Sequence, residues 1–160
     1  MDEKKYIDML ESILNKQITV LEETLVITKE QSRIAETSVF DEEQFDETLS
    51  KKDVLIIRLN ELDNGFASVY GRVRKSVQES PEIYRSRIIR LQELIRRCTD
   101  LGMEIQTLET RNRDKLAKCF AGKKKEYSAK QVAANVANKY NATMKNVNLM
   151  GEGYRFNQDK

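Results

Sequence analysis

The sequence predicts an all-α protein, an elongated antiparallel bundle or coiled coil of three long helices followed by a shorter, mobile amphipathic helix. Three observations lead to this fold class. Apolar residues recur every three or four positions along three long segments, as in helices that bury one face. Charged residues make up 34% of the chain and aromatic residues only 7%, which is typical of long exposed helices. The breaks between the segments are short, so neighbouring helices should run antiparallel.

The first helix is predicted from about Asp2 to Thr37, a stretch without glycine or proline. Towards its end the stripe positions become small or polar, and we expect closer or weaker packing there. The stripe comprises Ile7, Leu10, Leu14, Ile18, Leu21, Leu25, Thr28, Ser32 and Ala35.

The break at residues 38–41 carries three signals for the start of the next helix. Asp41 is a suitable N-cap residue, and Gln44 follows it at the third position, as in a capping box. Phe40 and Phe45 occupy the two positions of a hydrophobic staple. We therefore expect the second helix to begin at Glu42.

The second helix is predicted from Glu42 to about Gln78. Four consecutive apolar residues at 54–57 widen its stripe, and we expect that turn to touch two neighbours. Gly65 and Gly71 each cost about 1 kcal/mol relative to alanine in a helix interior. We interpret them as allowing a close helix contact or a small kink, with a functional hinge as the alternative. The stripe comprises Phe45, Leu49, Lys52, Ile56, Leu59, Leu62, Phe66, Val69, Val73 and Val77.

The third helix, at residues 81–121, is predicted to be the element around which the bundle is organised. Ser80 and Pro81 suit the N-cap and first helical positions, and Gly122 suits the end. At 1.5 Å per residue this helix spans about 60 Å, too long for a compact globular core. Its stripe comprises Tyr84, Ile88, Leu91, Ile95, Cys98, Leu101, Ile105, Leu108, Asn112, Lys115 and Cys119.

We divide the chain into a three-helix bundle at residues 1–122 and a partner-binding C-terminal unit at residues 123–160. In the second unit, Ser128 and Gln131 can cap a shorter helix, and residues 148–160 are expected to be disordered. An apolar row at four-residue spacing is the predicted partner-binding site. The alternative is that this row packs as a fourth helix on the bundle. The row comprises Val132, Val136, Tyr140 and Met144.

The composition argues against catalysis and against cofactor or metal binding. The chain has no histidine, the commonest acid–base catalyst and metal ligand. It also lacks a glycine-rich phosphate loop, a serine nucleophile elbow, a Cys-x-x-Cys pair and an EF-hand loop. We therefore predict that the protein is not an enzyme, with no catalytic, cofactor-binding or metal-binding residues.

Cysteine usage and hydropathy predict a cytoplasmic protein. Cys98 and Cys119 would lie about 31 Å apart on one continuous helix, too far to form a disulfide. Two reduced cysteines suit the cytosol. The charged N-terminus does not look like a secretory signal, and the longest apolar run is far too short to span a membrane.

The net charge of +2 hides an asymmetry along the chain. Residues 1–50 carry 13 acids and 5 bases, whereas residues 81–125 carry 6 acids and 12 bases. We expect these segments to attract each other within one molecule. The alternative is a basic surface that binds nucleic acid, which we do not predict.

Several short motifs, in this order, resemble one protein family. They are KKD at 51–53, LNELDNGF at 59–66, YGRV at 70–73, LQELI at 91–95, DL at 100–101, IQ at 105–106, Glu109 and YNATM at 140–144. Together they resemble the FlgN-type flagellar export chaperones of Gram-positive, clostridial-type bacteria, over roughly residues 5–145. Asn141 departs from the pattern, because relatives often carry a second tyrosine at that position.

The resemblance implies a cytoplasmic chaperone that binds hook–filament junction proteins, keeps them unassembled and delivers them to the flagellar type III export apparatus. It implies that the C-terminal segment binds the terminal helix of the partner and that a tyrosine docks on the export gate, with export gate or ATPase components as further partners. The matching positions are Val132, Val136, Tyr140 and Met144. The alternatives are a structural or adaptor coiled-coil protein and a nucleic-acid-associated protein. The sequence leaves open whether the bundle is a monomer or a helix-swapped homo-oligomer.

Overall fold

A computed structural model describes residues 3–119, which form three long α-helices joined by short turns. The helices are α1 (Glu3–Glu36), α2 (Glu42–Glu79) and α3 (Arg85–Cys119). No strand occurs among these residues. The prediction of an all-α protein with three long packed helices is confirmed. The predicted shorter C-terminal helix lies outside the described residues, and so does the boundary between residues 1–122 and 123–160.

α1 is the central helix of the bundle. It packs closely against both α2 and α3, whereas the backbones of α2 and α3 do not approach each other as closely. The prediction that the third helix organises the bundle is therefore wrong. A regular stripe shows only that a helix has one buried face, while α1 buries two adjacent faces. Besides most of its predicted stripe, α1 buries Gln17, Val20, Thr24, Gln31 and Ile34.

The side-chain contacts between α1 and α2 show that these helices are antiparallel. Gln17 contacts Asp63, and Gln31 contacts Thr48. Residue numbers therefore increase along α1 in the direction in which they decrease along α2. The antiparallel arrangement predicted from the short connection is confirmed.

Ion pairs along the contact between α1 and α3 show that these two helices are parallel, as in an up-down-up bundle. Residue numbers rise together along both helices from one pair to the next, and every acid lies on α1 and every base on α3. The prediction that the acidic and basic segments attract each other within the molecule is confirmed. The pairs are Asp8 and Glu11 with Arg87, Glu11 with Arg90, Glu22 with Arg97, and Glu36 with Lys115.

The start of α2 matches its sequence signals. Asp41 is the N-cap, and its carboxylate Oδ1 accepts a hydrogen bond from the Gln44 N–H at 3.1 Å. The rings of Phe40 and Phe45 lie 5.5 Å apart between centroids, as the staple requires. Phe45 also packs with Leu116 in a small apolar cluster at this end of the bundle.

The start of α3 differs from the prediction. Ser80 ends α2, because its N–H donates to the Ser76 carbonyl at 3.1 Å. A turn at residues 81–84 follows, and α3 begins only at Arg85. Ser80 and Pro81 therefore close one helix and turn the chain instead of opening the next. The predicted stop at Gly122 lies outside the described residues.

The widened stripe at residues 54–57 faces the core only in part: Ile56 belongs to a buried cluster that includes residues of α1 and α3, and Leu55 packs against that cluster. Ile56 is buried, but Val54 and Ile57 are 65% and 60% exposed. Among the described helices, only the backbone of α1 lies close to that of α2, and apolar residues on the far side of α2 remain at the surface.

The two glycines within α2 are not required for close packing. A Cβ added at Gly65 would lie 3.8 Å from the Ile13 Cδ1 atom, an ordinary van der Waals contact. A Cβ added at Gly71 would meet nothing within 4 Å. α2 is one continuous helix through both positions. The interpretation that they allow a close contact is therefore not supported.

Candidate functional site

The predicted partner-binding residues lie beyond the described part of the chain. Val132, Val136, Tyr140 and Met144 all fall within residues 120–160, outside the described residues. What it does describe is the bundle to which they are attached. Two groups of polar side chains lie inside that bundle, and each contains residues from more than one helix.

The first group, which we call the lysine layer, comprises Gln31, Thr48, Lys52 and Glu109 and joins all three helices. Lys52 has no exposed surface. Its ammonium Nζ donates to the Gln31 Oε1 and to the Glu109 carboxylate Oε1. The Gln31 Nε2 in turn donates to the Thr48 hydroxyl at 2.9 Å. Each helix therefore supplies at least one member of a connected buried network.

Further hydrogen bonds extend the lysine layer along α1 and α3. The Thr28 hydroxyl donates to the Thr24 carbonyl at 2.8 Å. The Asn112 Nδ2 donates to the Thr28 carbonyl at 3.1 Å, and the Ser32 hydroxyl donates to the Asn112 Oδ1. Buried polar groups are tolerated when they are hydrogen-bonded in this way.

The chemistry of the lysine layer is structural. Burial lowers the pKa of Lys52, and the neighbouring Glu109 charge opposes that lowering. A buried amine with a lowered pKa can act as a base or nucleophile when a substrate reaches it. Here Lys52 is enclosed, and the adjoining cavity of about 10 Å³ has room for no more than one water. The role best established for a buried ion pair in a helical bundle is to fix the register of the helices relative to one another.

The second group, which we call the aspartate layer, comprises Gln17, Asp63 and Cys98 and lies nearer the middle of the helices. The Gln17 Nε2 donates to the Asp63 Oδ1 at 2.5 Å. Burial raises the pKa of Asp63 to about 7, although the Gln17 hydrogen bond opposes the rise. The Gln17 Oε1 and the Asp63 Oδ2 have no hydrogen-bond partner within residues 3–119.

Both cysteines are free thiols, as predicted, but their surroundings differ. Cys98 is buried, and its Sγ lies 3.9 Å from the Leu14 carbonyl oxygen. Burial, aided by the Asp63 charge, raises the pKa of Cys98 to about 12. Cys119 is half-buried at the end of α3 and donates to the Ala35 carbonyl at 3.0 Å. Cys98 is therefore almost entirely an unreactive thiol at neutral pH.

Within residues 3–119, no three His, Cys, Asp or Glu side chains come together as metal ligands would. None of the three described helices carries a stretch long and apolar enough to cross a membrane.

The comparison with known proteins gives a single result. No family model, no curated protein and no solved structure matches this chain. The resemblance to FlgN-type chaperones therefore rests on the sequence motifs alone.

The structure shows where several of those motif residues lie. Lys52 comes from the KKD motif, and its ion-pair partner Glu109 is the isolated acid of the same pattern. Leu59, Leu91 and Ile95, from two other motifs, are buried in the core. The motifs in this part of the chain therefore contain residues that determine how the bundle packs.

Sequence reasoning missed most members of the polar layers. Lys52 was placed on a buried stripe, but Gln17, Gln31, Asp63 and Glu109 were not. One signal was available: Gln17, Thr24 and Gln31 follow one another at seven-residue spacing, the repeat of a helix that faces its neighbour. The spacing places the three residues on one face of α1, and their burial is known only from the structure.

Proposed function

We propose that this protein is a cytoplasmic flagellar export chaperone that binds hook–filament junction proteins, prevents their premature assembly and delivers them to the export apparatus. The observation that carries the proposal is the ordered set of FlgN-like motifs. Two of these motifs meet in the buried Lys52–Glu109 pair. The two residues are 57 positions apart, so the pair joins these motifs across the core of the bundle.

The packing of the described helices supports placing the binding site in residues 126–160. α2 and α3 pack their predicted stripes against α1, with Leu59 and Ile95 almost completely buried. An apolar row beyond these helices then needs another surface, and exposed apolar patches usually mark partner sites. An amphipathic segment with that spacing suits the helix-in-groove mode of recognition.

In the proposed mechanism, the row pairs with the terminal helix of a junction protein. Burial of apolar area drives the association, and the covered helix can no longer polymerise. Val132 and Val136 would supply aliphatic contacts, and Met144 an adaptable one. Tyr140 is proposed to dock on the export gate, as the resemblance implies.

The proposal can be tested by removing residues 126–160. The chain ending at Lys125 should keep its cooperative helical melt, followed by circular dichroism, and lose binding to a junction protein in a pull-down from cell extract and in calorimetry. Unchanged affinity would place the site on the long helices. Aggregation, or a much lower melting temperature, would show that the segment belongs to the core.

A structural or adaptor coiled-coil protein is the second candidate. It is favoured by the apolar residues left on outer helix faces, namely Val26 on α1 and Val54 and Ile57 on α2. Such a protein would use the long helices themselves. Substituting Val54 and Ile57 together with serine should abolish its interaction, whereas the chaperone proposed here should bind its partner unchanged.

A further inference from the structure

The aspartate layer contains two buried oxygen atoms that lack a hydrogen-bond donor, and both belong to the same pair of side chains. Gln17 is fully buried and Asp63 is 6% exposed. Their one hydrogen bond runs from the Gln17 Nε2 to the Asp63 Oδ1. The remaining oxygens, Gln17 Oε1 and Asp63 Oδ2, have no donor in the described part of the chain. An unsatisfied buried polar atom costs about 1–3 kcal/mol in a folded protein.

A single proton would satisfy both oxygens. A protonated carboxyl group has one O–H donor and one carbonyl acceptor, and a primary amide has the complementary set. If the proton is on the Asp63 Oδ2, the resulting hydroxyl can donate to the Gln17 Oε1 while the Oδ1 keeps its existing bond. The two planar groups then form a reciprocal pair of hydrogen bonds.

We propose that Asp63 is a neutral carboxylic acid in the folded bundle and forms with Gln17 a reciprocal acid–amide pair, a latch between α1 and α2 that binding of one proton closes. This proposal does not depend on the proposed chaperone function. It assigns a protonation state and a pH response to a layer inside the bundle.

The surroundings of Asp63 favour the neutral form. No ion pair reaches Asp63 within residues 3–119, so an ionised carboxylate there would lack a counter-charge. From α1 the polar group facing it is Gln17. From α3 it is Cys98, whose thiol is itself neutral at physiological pH. Arg97, beside Cys98, extends to the surface, where it lies 3.7 Å from Glu22. A buried charge without a partner is costly, and such a group is neutralised by a proton instead.

The sign of the pH response follows from the pKa values. The Asp63 pKa rises from an ordinary 3.8 to about 7 on folding. The folded state therefore binds a proton that the unfolded state releases between these values. The contribution of Asp63 to stability is complete below about pH 4, falls as the pH rises to about 7, and stays at its lowest level above that.

The test uses the full-length protein and Asp63→Asn, in which a permanently neutral amide replaces the acid. Urea unfolding midpoints are measured from pH 5 to pH 8. The wild-type midpoint should fall over this range more steeply than that of Asp63→Asn, and Asp63→Asn should be the more stable of the two at pH 8. Glu61→Gln, two residues away on the exposed face of α2, removes a similar charge and should follow the wild type. Parallel profiles for wild type and Asp63→Asn would overturn the proposal.

A second measurement on the unmodified protein covers the case in which Asp63→Asn does not fold. Carbon NMR of aspartate-labelled protein follows the Asp63 carboxyl carbon during a pH titration. The proposal expects a midpoint near 7 for this carbon. A midpoint near 4 for Asp63 would show that the carboxylate is ionised at neutral pH, and the proposal would be wrong.

Discussion

Lys52 on α2 donates a hydrogen bond to Glu109 on α3 inside the bundle, where Lys52 has no surface exposed to water. The backbones of these two helices do not approach each other closely, since each packs mainly against α1. The ion pair therefore connects α2 and α3 across the core, and Gln31 connects the pair to α1. Sliding α2 or α3 would separate the buried charges, and sliding α1 would break the Gln31 hydrogen bond, so the layer fixes the relative heights of all three helices.

Breaking this ion pair should strongly destabilise the bundle. Glu109→Gln leaves the Lys52 ammonium buried without its counter-charge, and the expected loss is about 3–5 kcal/mol of unfolding free energy. Replacing both partners, as Lys52→Met with Glu109→Leu, should cost much less, because no charge is then left unpaired. Urea unfolding of the three proteins measures the difference.

The exposed ion pair between Lys75 and Glu79 on α2 serves as the control for that prediction. The side chains of Lys75 and Glu79 are 87% and 64% exposed. Lys75→Met should leave the urea midpoint unchanged within error, since exposed pairs contribute little. If Glu109→Gln has no larger effect than Lys75→Met, the Lys52–Glu109 pair does not hold the bundle in register.

The middle of the apolar core should not tolerate a carboxylate. Leu59→Asp and Ile95→Asp introduce a charge at positions only 1% and 5% exposed. Each should cost about 4 kcal/mol or more, or prevent folding, because an unpaired buried charge is among the most damaging changes. Circular dichroism melts provide the measurement.

A matched control lies two residues from Leu59. Ile57 is also apolar and lies on α2, but it is 60% exposed. Ile57→Asp should melt within a few degrees of the wild type. Equal damage by Ile57→Asp and Leu59→Asp would mean that α2 packs through a different face.

The sequence was sufficient to predict three helices and the bounds of α1 and α2 to within one residue, because these depend on local signals. The cap at Asp41 and the ring contact between Phe40 and Phe45 are formed by neighbours in the chain. Stripe residues such as Leu59 and Ile95 follow from spacing alone. Their burial was predicted without knowing which helix each would meet.

The arrangement of the helices and the polar layers could not be predicted in the same way. α1 is central because it buries two faces, and its second face includes Gln17 and Gln31, residue types that usually face solvent. In the sequence, Asp63 cannot be distinguished from an exposed acid, because only the fold shows that Gln17 lies opposite it. Ser80 suits the N-cap of a following helix by residue type, and only the three-dimensional structure shows that it ends α2.

Substituting Gly71 with alanine tests how helix propensity affects stability, because the added methyl group makes no new packing contact. A methyl group added there meets nothing within 4 Å. Gly71→Ala should therefore stabilise the protein by about 0.5–1 kcal/mol, through reduced backbone freedom in the unfolded chain. A higher urea midpoint is the expected result. A lower midpoint would mean that this glycine is needed for a contact or movement of α2.

The two cysteines should differ in reactivity. Cys98 is 1% exposed and has a raised pKa, whereas Cys119 is half-buried at the end of α3. In the native protein at pH 8, a thiol reagent should label Cys119 at least roughly tenfold faster, because Cys119 is more accessible and burial raises the pKa of Cys98. Mass spectrometry of the peptides gives the two rates, and labelling in urea should remove the difference. Equally fast labelling in the native protein would contradict the burial of Cys98.

The central claim is that the apolar row at residues 132–144 binds a hook–filament junction protein. Calorimetry of two full-length variants with that partner tests it most directly. Val136→Asp places a charge in the row, and Asn138→Asp places the same charge two residues away, off the row. We expect Val136→Asp to weaken binding at least roughly tenfold, a loss of about 1.4 kcal/mol, while Asn138→Asp binds like the wild type and both keep the wild-type melt. Equal affinities for Val136→Asp and wild type, or no binding by the wild type, would contradict the claim.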